Sequence, residues 1–314
     1  MSVAEYMELC VSHYYANNNP FGKEGDFITA PEISQIFGEL IGAWLQNIWQ
    51  SSLDGQAILC EVGPGRGTLM RDALRATKNS EFHKNIDICL IETSHALRGV
   101  QAERLQVTHP RISWHNTLDN LPSMPLFLIA NEFFDALPIR QYLENNEERK
   151  IITNENTLSF SPDGKVTREE SPASVSIMKQ IAEHIKKYGG AALIIDYGYT
   201  TTTHGDSLQA MKNHKYVEPL QEPGEADITA HVDFTTLKNA AAETGSHVWG
   251  AVEQGTFLNR LGAELRAINL CKSASDTQQK EILSGLERLT SPHQMGTLFK
   301  VLAITSDGNK PIGF

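Results

Sequence analysis

The chain has 314 residues, 40% hydrophobic and 21% charged, with a formal net charge of −11. That acidity argues against a surface that grips nucleic acid through phosphate contacts, and it suits a basic peptide partner. No apolar run approaches the roughly 18 residues that a membrane span needs, so membrane insertion is not expected.

Met1 to Leu9 has no basic stretch before an apolar core and no arginine. Neither a secretory signal nor an intact mitochondrial presequence is therefore expected. A cytoplasmic location follows, or the mitochondrial matrix for a eukaryotic form lacking its presequence. The four cysteines, Cys10, Cys60, Cys89 and Cys271, form no Cys-x-x-Cys pair and read as free thiols of a reducing compartment.

Val3 to Tyr15 carries apolar residues at helical spacing. Pro20 to Pro31 reads as a loop, with Gly22, Gly25 and Asp26. Ile33 to Trp49 is strongly helical, with Ile36, Phe37, Leu40, Ile41, Trp44, Leu45 and Ile48 on one face. Strands are then expected at Ala57–Val62, Ile86–Ile91, Arg111–Trp114, Leu126–Ala130 and Ala191–Ile195. Helices are expected at Leu69–Thr77 and Leu97–Leu105. Continuous apolar runs alternating with helices specify a parallel sheet covered on both faces. His247–Val252 and Thr297–Thr305 suit an antiparallel hairpin at the sheet edge. Gln141–Val166 reads as an inserted β-hairpin, and Tyr199–Asp233 as a long polar connection able to act as a lid.

Glu61-Val62-Gly63-Pro64-Gly65-Arg66-Gly67-Thr68-Leu69 follows the first strand and opens a helix. Glycines there let the backbone approach a ligand, and the helix start offers unpaired N–H groups. A dinucleotide site places its third glycine one residue later. An acid beside exposed amides suits the ammonium and carboxylate of S-adenosylmethionine (SAM). Glu92 ends the second strand, where a carboxylate can accept from both ribose hydroxyls. That placement serves SAM and NAD alike. Thr93 and Ser94 follow, either in the pocket or capping the next helix. Asn131-Glu132-Phe133-Phe134-Asp135 sits at the carboxyl end of the fourth strand, where open α/β sheets bind ligands. Asn131, Glu132 and Asp135 are the expected site residues there, whereas the two phenylalanines suit core or site. Asp227, His231 and Asp233 make a second polar cluster, either catalytic or a capped helix start. No second histidine has ligand spacing to His231, so no metal is expected.

These residues resemble the MidA family of SAM-dependent methyltransferases, which includes mitochondrial complex I assembly-factor protein-arginine methyltransferases. The resemblance rests on Gly25-Asp26-Phe27-Ile28-Thr29-Ala30-Pro31-Glu32, on Glu61 to Leu69, and on Ile91-Glu92-Thr93-Ser94. It continues through Asn131 to Pro138, Ile195-Asp196-Tyr197-Gly198, Gly224 to Phe234, Gln254 to Leu258 and Met295 to Val301. It implies an α/β class I methyltransferase fold: a mostly parallel, seven-stranded Rossmann-like sheet with helices on both faces, an N-terminal helical extension and an inserted lobe. The implied organisation is an extension with a cofactor-covering loop over 1–55 and a SAM-binding core over 56–140 and 185–314. A β-hairpin and helical insertion would occupy 141–184, and a lid would occupy 199–234.

The implied cofactor is SAM. Its expected contacts are Asp26, Phe27, Thr29, Glu61, Gly63, Pro64, Gly65, Gly67, Thr68, Leu69, Glu92, Thr93, Ser94, Asn116, Leu118, Asn131 and Glu132. The expected catalytic residues are Glu132, Asp135, Asn131, His231 and Asp233. The implied reaction is methylation of a protein arginine, symmetrically on both terminal nitrogens, in an NADH dehydrogenase subunit. Competing readings are a non-catalytic SAM-binding assembly factor, a small-molecule methyltransferase and an NAD-dependent oxidoreductase. A homodimer is compatible with the residues without being fixed by them.

Overall fold

A computed structural model describes residues 1–17, 28–53, 55–155, 157–201 and 205–314. Helix α1 (Val3–Asn17) is followed by α2 (Ala30–Ile33) and α3 (Gln35–Ser52). The expected loop from Pro20 to Pro31 falls mostly outside the described residues, as do Gly22, Gly25, Asp26 and Phe27. The next elements are β1 (Ala57–Val62), α4 (Thr68–Thr77), α5 (Glu81–Asn85), β2 (Ile86–Ile91), α6 (His95–Leu105), β3 (Ile112–His115) and β4 (Leu126–Asn131). After them come β5 (Arg140–Leu143), β6 (Lys150–Asn154), β7 (Thr157–Ser161), β8 (Val166–Glu170), α7 (Pro172–Tyr188) and β9 (Gly190–Tyr199). The chain continues through β10 (Gln209–Lys212), β11 (Lys215–Val217), β12 (Asp227–Thr229), β13 (Val232–Asp233) and α8 (Phe234–Glu243). It ends with β14 (His247–Glu253), α9 (Gln254–Arg260), α10 (Ala263–Cys271), α11 (Asp276–Thr290), α12 (Met295–Leu298) and β15 (Phe299–Thr305).

The main sheet runs β14-β15-β9-β4-β1-β2-β3, and β13 adds a short parallel pairing to β9. β1, β2, β3, β4 and β9 are parallel, while β15 is antiparallel to both β9 and β14. Strand order reverses between β1 and β4, so the crevice beyond their carboxyl ends is the place for a ligand.

Every residue of β1 and β4 is buried, because alternate side chains enter two separate cores. Ala57, Leu59, Phe127 and Ile129 pack with α3, α4 and α9, whereas Ile58, Cys60, Leu126 and Leu128 pack with α7 and α8. Helix α3 is therefore part of the sandwich. Gly42 makes its close approach possible: a Cβ there would stand 2.7 Å from Ala73 Cα on α4.

The peripheral regions differ from expectation in three ways. Residues 141–170 form two nested pairs, β5 with β8 and β6 with β7, in place of one hairpin. Helix α7 straddles the expected boundary at 184, because Met178, Ile181, Ala182 and Ile185 form a stripe at helical spacing that is buried against the sheet. The connection from 199 to 233 is structured, forming a three-stranded sheet of order β11-β10-β12. Helix α1 docks on this accessory sheet through Val3, Tyr6, Met7 and Cys10, which pack with Ala210, Ala226 and Ile228.

Candidate active site

A cavity of about 1200 Å³ opens at the switch point between β1 and β4. Its near wall is the turn after β1. Gly63 and Gly65 have φ of +63° and +50°, in the left-handed region where a side chain is strained. A Cβ on Gly63 would also meet Phe133 Cδ2 at 3.2 Å, so any side chain there would push on the loop after β4. Glu61, Gly63, Pro64, Gly65, Thr68 and Leu69 all line the cavity. Gly67 does not: it caps α4 with φ +74°, and its α-carbon faces Leu105 and Gln101 of α6.

Glu61 is buried, and its Oε2 has no hydrogen-bond partner among the described residues. Burial pushes its carboxyl up to about 8, offset only by the Met70 backbone. Glu92 is set differently. Its Oε1 accepts from Ser94 N at 2.8 Å and its Oε2 from Gln101 Nε2 at 3.2 Å, which fixes the carboxylate at the end of β2. Gln101 also donates to Gly65 O at 2.6 Å, so one amide aligns the glycine turn and the acid. Ser94 both lines the cavity and caps α6, accepting from Leu97 N. Thr93, Asn116 and Leu118 line the same end, where Asn116 Oδ1 accepts from Arg98 Nη2 at 2.6 Å.

The far wall is the loop after β4. Glu132 adopts φ +50°, an uncommon conformation for a residue with a Cβ. Its Oε1 accepts from Asn131 Nδ2 at 3.2 Å and from Ala30 N at 3.3 Å. Burial raises its carboxyl to about 8, and the Asp135 charge adds to the rise. Asp135 is buried and lifted to about 6 by desolvation, against a lowering bond from Tyr197. Tyr197 OH donates to Asp135 Oδ2 at 2.5 Å, while Asp135 Oδ1 has no partner among the described residues. Asp196 anchors the loop from below: its Oδ2 accepts from the amides of Phe133, Phe134 and Asp135 at 3.0–3.2 Å.

The accessory sheet closes the remaining side. Asp227 Oδ1 accepts from Tyr15 OH at 3.2 Å, and Ala230 N donates to Asp135 O at 2.9 Å. His231 lines the cavity with its ring edge-on to Tyr197, and burial lowers its imidazole. Asp233 is outside the cavity. It is the N-cap of α8, accepting from Thr235 N at 2.9 Å and Thr236 N at 3.1 Å, so of the two expected placements, catalytic or cap, its geometry is that of the cap. Thr29 lines the cavity, and Asp26 and Phe27 lie outside the described residues.

Sequence reasoning passed over several lining residues. Glu32 accepts from Thr68 Oγ1 at 2.5 Å, and Tyr15, Tyr197 and Arg288 also face the cavity. Glu32 and Tyr197 lay inside quoted motifs, which was a usable signal. Tyr15 and Arg288 arrive from remote helices with no local pattern to mark them.

A family model described as "Putative S-adenosyl-L-methionine-dependent methyltransferase" matches residues 40–166 and 155–252. The mitochondrial protein arginine methyltransferase NDUFAF7 homolog of Drosophila melanogaster is 36% identical over 96% of this chain and 80% of that relative. The chain belongs to this methyltransferase family. The Homo sapiens mitochondrial protein arginine methyltransferase NDUFAF7 is 33% identical over 97% of the methyltransferase described here and 80% of its own length. The fold matches a COG1565 superfamily crystal structure from Burkholderia thailandensis bound to S-adenosyl-homocysteine, with a TM-score of 0.84 at 24% identity, covering 100% of this chain and 89% of that one.

SAM is the cofactor of this methyltransferase, and the site fits it on structural grounds. Three buried oxygen atoms without partners among the described residues, Glu61 Oε2, Asn131 Oδ1 and Asp135 Oδ1, border this one cavity. Each such atom costs on the order of 1–3 kcal/mol unless a ligand satisfies it. Among the described residues, no helix is long and apolar enough to cross a membrane.

Proposed function

We propose that this chain is a protein-arginine N-methyltransferase whose substrate is a subunit of the respiratory NADH dehydrogenase, modified by symmetric dimethylation. The observation that carries the reading is the acidity of the buried far wall. Glu132, Asp135 and Asp227 all line the cavity, from the loop after β4 and from the accessory sheet, and Asp135 keeps one oxygen unpartnered among the described residues. A guanidinium is the side chain such a wall suits, because its planar fork donates to carboxylates in pairs. The names of the relatives at 33–36% identity supply the chemistry.

Bound SAM supplies a methyl group on a sulfonium, which is already a good leaving group. The chain's own task is then positioning. Glu61 and the Gly63–Gly65 turn would hold the charged amino-acid end, Glu92 the ribose hydroxyls, and Asn116 and Leu118 the base. Asn131, whose Oδ1 has no partner among the described residues, would contact the cofactor between the two walls. Glu132 and Asp135 would orient the guanidinium and concentrate electron density on the attacking nitrogen. Methylation of a guanidinium releases one proton, which Asp135 Oδ1, without a partner among the described residues, would accept.

The test is methyl transfer from labelled SAM to arginine peptides of the NADH dehydrogenase, read by mass spectrometry for the number and position of methyl groups. Glu132→Gln and Asp135→Asn should each cost about 100-fold or more in kcat with the fold intact. Normal transfer by both variants, or transfer confined to lysine, would end this reading.

A further inference from the structure

The segment Asp196-Tyr197 near the end of β9 has no part in the reading above, yet it supports the loop that carries Glu132 and Asp135. Asp196 holds that loop through its backbone amides. Tyr197 acts on a side chain instead. Its hydroxyl donates to Asp135 Oδ2 at 2.5 Å, and its ring is fixed edge-on by His231 and by Phe299, each at 5.5 Å between ring centres. The two oxygens of Asp135 are thereby made unequal. Oδ2 is occupied, and Oδ1 is buried at the cavity without a partner among the described residues. A carboxylate free to turn about its Cβ–Cγ bond presents either oxygen in many orientations. A pinned one presents a single oxygen in a fixed orientation, which is what orientation of a nucleophile requires.

We propose that Tyr197 is a positioning residue for the methyl acceptor: it locks the Asp135 carboxylate so that Oδ1 alone faces the substrate nitrogen. The inference rests on reading Asp135 as the substrate-facing acid, and Tyr197 itself need not touch the substrate. A ring that only fills space would act through its packing and not through its hydroxyl.

The titratable groups that interact with Asp135 are Tyr197, Glu132 on the same loop, Asp196 on β9 and Tyr15 on α1; behind them, Asp227 accepts from Tyr15 and His231 packs on Tyr197. The Tyr197 hydroxyl opposes the rise that burial imposes on Asp135. Its removal must therefore move the Asp135 titration to higher pH.

Tyr197→Phe keeps the ring and deletes the hydroxyl. The first measurement is carbon-13 carboxyl titration of aspartate-labelled full-length protein, with Asp135→Asn to assign the resonance. The Asp135 titration should rise by about one pH unit in Tyr197→Phe. The second is methyl transfer to an arginine peptide across pH, with kcat reduced about 10-fold or more, the KM for SAM unchanged, and the acid limb of the profile displaced upward. An Asp135 titration identical in both proteins overturns the inference whatever the substrate is. Failure of the wild-type protein to methylate any arginine peptide counts against the arginine reading alone, since the titration still decides the role of Tyr197.

Discussion

Replacing Glu61 by glutamine should make the cofactor-free protein more stable while impairing its use of SAM. Glu61 is 3% exposed, one of its oxygens has no partner among the described residues, and burial carries its carboxyl from an ordinary 4.5 to about 8. Because the folded pKa lies above the unfolded one, Glu61 favours folding fully below about pH 4.5, and that contribution is lost as the pH climbs through about 8. At 1.36 kcal/mol per pH unit, the loss has a ceiling of about 5 kcal/mol; local relaxation leaves an expected difference of about 2–4 kcal/mol. Glutamine keeps the shape and cannot ionise. Urea unfolding without cofactor should show Glu61→Gln matching wild type near pH 4 and exceeding it by that margin at pH 9. Added SAM should then raise the wild-type midpoint strongly and the variant's weakly, since only a carboxylate repays its desolvation by meeting a cation. Equal stabilities at pH 9, or equal gains from SAM, would refute the argument.

Three further outcomes follow from the geometry. Gly63→Ala, strained at φ +63° and 3.2 Å from Phe133, should lose about 10-fold or more in SAM affinity by calorimetry, with only a modest fall in stability. Asp233→Ala should destabilise the fold by about 1 kcal/mol through the lost α8 cap and leave kcat untouched in a stopped assay. The Glu132 carboxyl, raised to about 8, should give kcat/KM a limb that climbs with pH through that region as the acid ionises; Glu132→Gln should abolish this limb in the pH profile.

The parallel sheet was legible because its strands are buried on both sides and so read as unbroken apolar runs, such as Ile58–Val62 and Leu126–Ala130. The strands β14 and β15 were legible as two late apolar segments, whereas the four helices between them were not part of the expected hairpin. Nothing local marks the pairing of β5 with β8, since another hairpin lies between them and their register is set in three dimensions. The same holds for the accessory sheet, whose strands of three and four residues are too short and polar to show a period. At the site, Glu61, Glu92, Glu132 and Asp135 could be picked out because each ends or follows a strand at the ligand edge. Asp233 could be read from sequence as catalyst or cap alike, since an acid ahead of a helix suits both, and its bonds to Thr235 and Thr236 show the cap. Tyr15 reaches Asp227 from the first helix, a contact that chain order cannot foretell.

The bond from Ala230 N to the Asp135 carbonyl ties the accessory sheet to the acidic wall by main chain alone. Ala230 is buried in the core beneath that sheet, so the bond tolerates neither a large side chain there nor a proline, which would remove the donor N–H. The turn joining β10 to β11 is held in a different way: Asn213 and His214 both have positive φ, and His214 lines the cavity. The stretch from β12 to residue 230 works as a fixed gauge: one residue inserted or deleted there would break the register that sets Ala230 against Asp135.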